Sequence, residues 1–297
     1  MSDDVVSIIR NSKMDRNALN RLADRSGSGR VAVEKDFVIS VILMLISKLP
    51  EFSRYSDKMV FRGGTCIKKV FFPKETRFSE DLDFANLTPE ESSSFLQEVN
   101  HLIGRNLGVT TFERSETEYK NESGLDFILY YTSLLQQRNH ITFNLSTASP
   151  IEQVKRMKVD VSPFFRKSPN VLCMTLKEIV SEKMRALLQR KKPRDVFDVW
   201  FLIHEKGIKL DKRLLLKKLQ RSYDAAPFNA KKDAATYIIS DVVSQIKEVV
   251  TEKAWNNELG GLIMRPMPER SVVVETVCTI LLSLLEDITL KYRGTRT

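Results

Sequence analysis

The stretch of residues 61–84 limits what this chain can fold into more than any other. Its first apolar run ends at Gly63 and Gly64, which let the backbone turn sharply and approach a ligand closely. Residues 65–72 then have helical spacing and begin with Thr65, a residue type that caps helices well. Backbone N–H groups at a helix N-terminus bind phosphate, so the pattern predicts a phosphate-binding turn.

Two aspartates stand near the end of the same stretch. Asp81 and Asp83 flank Leu82 in a short run that ends in Phe84. The two-residue period of a strand places both carboxylates on one face, while Leu82 and Phe84 face a core. Crowded carboxylates repel each other unless a cation neutralises them, and their hard oxygens suit Mg²⁺ or Mn²⁺. The pair predicts a metal site that acts on phosphoryl groups.

Each half of the pattern has a plainer explanation when it is taken alone. A Gly-Gly pair before a helix is usually only a turn, and an Asp-x-Asp sequence is more often the solvated end of a strand. The two halves in this order are far more specific, and they indicate a nucleotide-binding protein.

The combination resembles the AbiEii nucleotidyltransferase toxin family, a branch of the DNA polymerase beta-like nucleotidyltransferases. The matching segments are Gly63-Gly64-Thr65 with Lys69, and then Arg77-Phe78-Ser79-Glu80-Asp81-Leu82-Asp83. The resemblance implies a nucleotide-binding set of Gly63, Gly64, Thr65, Lys69 and Ser79. It also implies that Asp81 is catalytic, that Asp81 and Asp83 bind the metal, and that Arg77 supports the site. One departure is Cys66, where the family often has serine, and this small change puts little in doubt.

A later helix, predicted over residues 175–189, carries Lys183 inside its apolar side. A lysine at such a place usually extends its ammonium to solvent. Residues 182–187, Glu-Lys-Met-Arg-Ala-Leu, nevertheless resemble the third motif of the family. The resemblance implies that Lys183 is catalytic and contacts the nucleotide, where it would offset charge as pyrophosphate leaves.

Residues 194–199, Arg-Asp-Val-Phe-Asp-Val, resemble the fourth motif. The resemblance implies that Asp198 is catalytic, with Arg194 and Asp195 as supporting residues. An inward carboxylate can orient a lysine or receive a proton from an attacking hydroxyl. The sequence does not decide between these two roles for Asp198.

Two further groups of charges have open interpretations. Asp160 falls on a strand predicted over residues 153–161. A polymerase beta-like site has a third metal-binding carboxylate on a neighbouring strand, and Asp160 is the candidate for it. An exposed edge strand of mixed charge would account for an aspartate at this position equally well. Glu34-Lys35-Asp36 opens a long apolar helix predicted over residues 31–49. These charges are either a solvated first turn or, as similar residues in the family suggest, a structural element.

The element pattern predicts an α/β (α+β) fold with a mixed sheet in a first lobe and a helical lobe after it. The resemblance implies that the first lobe is a polymerase beta-like nucleotidyltransferase lobe. Residues 1–30 read as a short helix and a flexible connector, and a helix capped by Thr88 is expected to reach residue 106. The predicted strands form an antiparallel meander over residues 109–118, 125–134, 139–146 and 153–161. We place the lobe boundary between residues 165 and 166, so the lobes are residues 1–165 and 166–297.

Composition narrows the class of partner. The chain has 297 residues, a net charge of +9 and a pI of about 9.4, which favour a polyanionic partner such as nucleic acid. Its three cysteines have no paired spacing and no apolar run is long enough to cross a bilayer, so a cytoplasmic protein without a membrane partner is expected. Basic residues of the C-terminal helices are expected to hold an acceptor along one side: Lys212, Arg213, Lys217, Lys218 and Arg221.

The expected reaction is transfer of a nucleoside monophosphate from an NTP to an acceptor hydroxyl, with Mg²⁺ or Mn²⁺ bound. The resemblance implies that the acceptor is RNA, in particular the 3′ end of tRNA, and that the chain is a growth-arresting toxin. Its cognate antitoxin would be encoded nearby, for example as a winged-helix regulator. Two alternatives stay open: a regulator that binds NTP without turnover, and an enzyme that nucleotidylates a protein.

Overall fold

The computed structural model describes residues 2–147, 151–224, 234–263 and 266–294. The chain divides into two compact units, Met1–Thr175 with Leu262–Arg265, and Leu176–Gly261 with Pro266–Thr297. The division falls beyond the boundary predicted at residue 165, because the last strand of the sheet ends just before residue 175. Within the described residues, no helix has the length and apolar character needed to cross a membrane.

The first unit has five α-helices in its described part. They are α1 (Ser2–Arg10), α2 (Arg16–Ser26), α3 (Arg30–Lys48), α4 (Gly63–Cys66) and α5 (Pro89–Asn100). A π-helical segment, Ile67–Phe71, continues α4 without a break, so a helix is present here as predicted. It begins at Gly63 rather than Thr65 and includes the glycine pair, and Thr65 does not cap it. Residues 1–30, predicted as one short helix and a connector, contain two helices, α1 and α2. Asp15 caps α2 by accepting the Ala18 N–H at 2.6 Å.

Helix α3 is the central helix of the first unit. Every side chain from Ala32 to Ile46 is buried, including the three charged residues Glu34, Lys35 and Asp36. A helix that is buried on all sides needs partners for its polar groups, and these are described with the site below.

Helix α5 begins where the sequence predicts. Thr88 and Glu91 form a reciprocal capping box, with Pro89 in the first helical position. The helix ends at Asn100 rather than near residue 106, because residues 101–104 form a tighter turn that closes at Gly104.

A seven-stranded sheet completes the first unit. Its strands are β1 (Val60–Arg62), β2 (Asp81–Ala85), β3 (Thr111–Asn121), β4 (Gly124–Thr132), β5 (Arg138–Ser146), β6 (Val154–Lys158) and β7 (Asn170–Met174). Their order in space is β3-β4-β5-β2-β1-β7-β6. The pairs β2/β5 and β1/β7 are parallel and the other pairs are antiparallel, which confirms the predicted mixed sheet.

The meander is shorter than predicted. Strands β3, β4 and β5 form it, but β6 does not continue it. Instead β6 pairs with β7, a strand that the sequence analysis missed, at the opposite edge of the sheet.

The described part of the second unit is helical, as predicted. Its helices are α6 (Leu176–Arg190), α7 (Pro193–Val199), α8 (Lys212–Asp224), α9 (Ala234–Val249), α10 (Glu252–Leu259) and α11 (Arg270–Gly294). A π-helical segment, Trp200–Glu205, continues α7. Phe197 packs against Phe201 and Trp255, with ring centroids 6.0 and 6.4 Å apart, and this aromatic cluster joins α7 to α10.

Candidate functional site

The turn after β1 is in direct contact with the aspartate strand. Antiparallel pairing of β1 with β2 places Arg62 opposite Asp83, and Gly63 follows with a φ of +78°. A Cβ atom at Gly63 would lie 2.0 Å from Oδ2 of Asp83. Only glycine fits here, because the backbone is left-handed and the carboxylate occupies the space of a side chain.

Gly64 makes a similarly close approach to two polar side chains. A Cβ atom at Gly64 would lie 2.8 Å from Oγ of Ser79 and 3.1 Å from a terminal nitrogen of Arg77. Both side chains are buried, and Arg77 also donates to the Phe78 carbonyl at 3.0 Å. The turn thus brings a hydroxyl group and a guanidinium group to its own backbone, and both are groups that bind phosphate.

Strand β2 presents its aspartates as the alternation predicts. Asp81 and Asp83 are half-buried on one face, while Leu82 and Phe84 are buried on the other. The hydroxyl of Thr65 donates to the Asp81 carbonyl and so ties the helix after the turn to the strand. Thr65 therefore holds the backbone of this strand with its side chain.

A row of polar residues crosses the sheet beside Asp83. Asp83 pairs with Asn144 on β5, and Asn144 pairs with Asp126 on β4, so the three side chains share a face. The Asn144 amide donates to Oδ1 of Asp83 at 3.2 Å. Burial, and then the Asp83 charge, raise the pKa of Asp126. The sequence analysis missed Asn144 and Asp126, although a carboxylate between the apolar residues of β4 was a visible signal.

The charged second turn of α3 holds three separate segments of the first unit. Glu34 accepts the Leu135 N–H at 2.6 Å, Lys35 pairs with Glu80 at 3.0 Å, and Asp36 pairs with Lys69 at 2.7 Å. Burial raises the pKa of Glu34. The solvated-turn alternative is wrong, because all three side chains are buried with partners; the structural interpretation holds.

Lys69 does not reach towards the glycine turn. Its ammonium bonds to Asp36 and, at 2.9 Å, to the hydroxyl of Ser40, with the side chain only 3% exposed. A lysine four residues after Thr65 lies one turn further along the helix, where α3 covers it. The structure therefore gives Lys69 a buried structural partner and gives its predicted contact with phosphate no support.

Asp160 is not beside the aspartate pair. It follows β6, and strands β1 and β7 lie between β6 and β2. Its backbone N–H donates to the Lys69 carbonyl at 2.6 Å, and its carboxylate accepts the Ser162 N–H at 2.8 Å. The prediction that Asp160 lies on a strand neighbouring β2 is wrong, because β6 belongs to the far edge of the sheet.

The donor set on β2 fits a metal that a substrate helps to bind. Among the residues that the structure describes, no group of three or more His, Cys, Asp or Glu side chains is placed to hold an ion. Magnesium is typically held by one or two carboxylates together with phosphate oxygens and waters. Asp81 and Asp83 suit that arrangement, and the side chains of Ser79 and Arg77 lie beside the adjoining glycine turn.

In the second unit, Lys183 and Asp198 form a buried ion pair. Lys183 Nζ lies 2.7 Å from Oδ2 of Asp198, and their side chains are 10% and 2% exposed. The pair joins α6 to the following helix, α7. The alternative in which Lys183 extends to solvent is wrong, because burial and the carboxylate hold its ammonium within the unit.

The two supporting residues on α7 are also paired. Asp195 is fully buried and accepts two hydrogen bonds from Arg190, at 2.6 and 2.8 Å. Arg194 lies 3.5 Å from Glu258 on α10. These contacts fix the start of α7, which carries Asp198 one turn later.

The basic residues of α8 do not form one open face. Lys218 is buried and pairs with Glu178 at 2.6 Å and with Glu182 at 3.2 Å, and Lys212 pairs with Asp287. The expectation is wrong for Lys218, because helix α6 supplies two carboxylates that bury it; for Lys212, whose side chain is 42% exposed, it stays a prediction. Arg213 and Lys217 are exposed, whereas the side chain of Arg221 lies outside the described residues.

Comparison with known proteins identifies the family. Residues 49–277 match the model of the nucleotidyl transferase AbiEii toxin of type IV toxin–antitoxin systems. MenT4, a nucleotidyltransferase toxin from Mycobacterium tuberculosis, aligns with a TM-score of 0.64 and 19% identity over 92% of this chain and 90% of its own.

JHP933 from Helicobacter pylori aligns with a TM-score of 0.53 and 16% identity, over 91% of this chain and 100% of its own. No curated protein matched. These structural likenesses show a shared fold. The family match covers well over half of the sequence, and the chain belongs to the AbiEii nucleotidyltransferase toxin family.

Proposed function

We propose that this toxin transfers a nucleoside monophosphate from an NTP to a hydroxyl group of RNA and releases pyrophosphate. One observation supports the proposal above the others: a side chain at Gly63 would collide with Asp83, and one at Gly64 would collide with Ser79 and Arg77. A turn that has room for no side chain, beside a carboxylate, a hydroxyl and a guanidinium, is built for the close approach of a phosphate group.

Each group of the first unit has a proposed part. Ser79 and Arg77 hold phosphate oxygens against the backbone at Gly64, and Asp81 and Asp83 hold a divalent cation. When bound, Mg²⁺ or Mn²⁺ supplies positive charge to the phosphate oxygens. Positioning and electrostatic stabilisation account for most of the catalysis in phosphoryl transfer, so a rigid turn is a suitable device.

Lys183 is proposed to stabilise the negative charge that develops on the pyrophosphate as it leaves. Its ammonium is desolvated and held by Asp198, and a fixed cation stabilises a transition state without reorganising. The 2.7 Å contact favours the positioning role for Asp198 over the role of a base.

A basic groove on the first unit supports RNA as the acceptor. The groove has a volume of about 430 Å³ and is lined by Lys48, Lys158, Arg166 and Lys167, with Val5, Ile8, Met44 and Ser168. The four cations are exposed, and the groove residues that the structure describes include no acid. Such a surface suits a phosphate backbone. The assignment of the tRNA 3′ end as the acceptor rests on the family resemblance. The antitoxin that the family implies is the second macromolecular partner.

The transfer experiment uses each of four labelled NTPs with Mg²⁺, total RNA and a cell lysate. We expect labelled RNA from the wild type and none from Asp81→Asn, which keeps the shape of the side chain and removes its charge. Asp24→Asn, at an exposed site on α2, is the matched control and should label RNA normally. Labelled protein without labelled RNA would favour the protein-modifying alternative, and NTP binding without any labelled product would favour the regulator.

The acceptor surface has its own test. Replacing Lys158 and Lys167 with Gln should weaken RNA binding and flatten the plot of log affinity against log salt by about 1.4, if each contacts one phosphate of a single strand. The same change at Lys120 and Lys253, exposed on β3 and α10, is the control. An unchanged slope for the first variant would remove the groove from the acceptor site while leaving the transfer reaction standing.

A further inference from the structure

A second cavity lies in the first unit, between α2, α3 and the π-helical segment that follows the glycine turn. Its volume is about 570 Å³, within the range of small-molecule sites. The residues that line it do not include the glycine pair, Ser79, Asp81 or Asp83. The cavity is therefore separate from the site proposed for the NTP.

Positive charge dominates the lining. Lys68 and Lys69 are buried at the floor, whereas Arg25 and Lys74 are exposed at the mouth. Of the two acids among the described lining residues, Asp36 is paired with Lys69.

The other acid, Asp160, accepts a backbone N–H from Ser162. In all, the described lining carries four cations, Arg25, Lys68, Lys69 and Lys74, against two carboxylates, Asp36 and Asp160. The cavity is therefore suited to an anion.

Lys68 is the group that an anion would stabilise most. Its ammonium lies 4.6 Å from the centre of the Phe78 ring and donates to the Pro73 carbonyl. Burial lowers the pKa of Lys68 to about 8; the Asp36 and Asp160 carboxylates oppose this shift, and the Lys69 charge adds to it. A cation that is poorly solvated beside a cavity gains from an anion placed in that cavity.

The remaining walls are apolar and partly aromatic. They are formed by Leu22, Val33, Pro73, Phe78, Pro163 and Phe164. Rings and apolar side chains around a cationic floor fit a ligand with a flat apolar body and a negatively charged group.

We propose that this cavity binds a small organic anion in which a phosphate is joined to an aromatic ring, the class to which nucleoside monophosphates belong. The phosphate lies at Lys68 and between Arg25 and Lys74, and the ring lies against Phe78 and Phe164. This site is additional to the one proposed for NTP, and the helix that bears Lys68 begins at the glycine turn.

The test is calorimetric titration of the full chain with AMP, GMP, CMP and UMP. We expect saturable binding of at least one of them to the wild type. Lys68→Met keeps the length of the side chain and should weaken that binding at least tenfold, the effect of losing one charge-assisted hydrogen bond. Lys13→Met, at an exposed site before α2, is the control and should bind as the wild type does.

Further arms locate the ligand and define its chemistry. Asp81→Asn should retain full affinity; a loss equal to that of Lys68→Met would place the nucleotide at the NTP site and overturn the proposal. Leu22→Trp fills the cavity without removing a charge, and undiminished binding by this variant would also overturn it. If inorganic phosphate alone or adenosine alone binds as tightly as AMP, the ligand does not need both a phosphate and a ring, and the proposal is refuted. Failure of all four nucleotides to bind at millimolar concentration would refute it as well.

Discussion

Replacement of Gly63 by alanine should separate the geometry of the site from the stability of the fold. The new Cβ atom would lie 2.0 Å from Oδ2 and 2.7 Å from Cγ of Asp83, whereas ordinary contact begins near 3.4 Å. The carboxylate must therefore move by about 1.4 Å, on the contact distances just given. It would also lose its 3.2 Å hydrogen bond from Asn144.

A displacement of this size has an expected effect on rate. Misplacement of a reacting or metal-binding group by about 1 Å can cost a factor of about 100, so we expect the transfer rate of Gly63→Ala to fall by about that factor. The free energy of unfolding should fall by about 1–2 kcal/mol for the left-handed backbone and about 1 kcal/mol for the lost hydrogen bond.

Gly104 provides a matched control in the same unit. Its φ is +72°, and a Cβ atom there would meet nothing within 4 Å. Gly104→Ala should thus lose about 1–2 kcal/mol of stability and almost no activity.

The comparison of Gly63→Ala with Gly104→Ala requires the transfer rate and the urea midpoint of each variant, measured at matched folded fractions. The reasoning fails if Gly63→Ala keeps more than about a tenth of the wild-type rate, or if Gly104→Ala loses as much.

Three further perturbations test the buried charges. If Asp198 positions Lys183, each of Lys183→Met and Asp198→Asn should lower kcat by about 100-fold. The double variant should then be no slower than Lys183→Met. Additive losses in the double variant would mean that Asp198 acts independently of Lys183. Because the pKa of Lys68 falls from 10.5 to about 8 on folding, the unfolded chain binds more protons between those pH values. The free energy of unfolding should therefore rise by about 3 kcal/mol across that window relative to Lys68→Met, and parallel pH profiles would contradict this. Asp36→Asn should lower the free energy of unfolding, measured in urea, by about 3–5 kcal/mol, because it leaves the Lys69 ammonium without its carboxylate. The double variant Asp36→Leu/Lys69→Met should recover most of this loss. A loss below about 1 kcal/mol in Asp36→Asn would show that the Ser40 hydroxyl is a sufficient partner for Lys69.

Local signals in the sequence predicted the local parts of the site well. The alternation around Leu82 predicted which face of β2 carries Asp81 and Asp83, and the glycine pair predicted the turn. The capping box at Thr88 likewise marked the start of α5. Each of these features depends on residues within a few positions of one another, so periodicity and capping chemistry were sufficient.

Strand order could not be read in the same way. Consecutive strands usually form hairpins, so residues 153–161 were expected to extend the meander and bring Asp160 near β2. The strand β7 takes the place beside β1 and carries β6 with it to the far edge. That choice depends on which strand fills the second side of β1, a tertiary contact with no local signature.

The sequence also could not predict which residues pair with the buried charges. Lys69 and Lys218 have the sequence surroundings of phosphate-binding and solvent-exposed lysines, yet each is buried against a carboxylate on another helix. A charge pattern along one helix shows which residues share a face, but not what covers that face. The same reason hid the role of Glu34, whose partner Leu135 lies far along the chain.

The position of β2 in the sheet also determines when during synthesis the site can form. Gly63, Asp81 and Asp83 leave the ribosome early, but β5, which pairs with β2 and supplies Asn144, is complete only at Ser146. The other neighbour of β1 follows later still. A nascent chain that ends between β2 and β5 carries the whole glycine and aspartate motif on a strand with an open edge. We therefore expect the part of the site on β1 and β2 to stay incomplete until β5 has been synthesised, so the sheet order, rather than the motif, determines when this part forms.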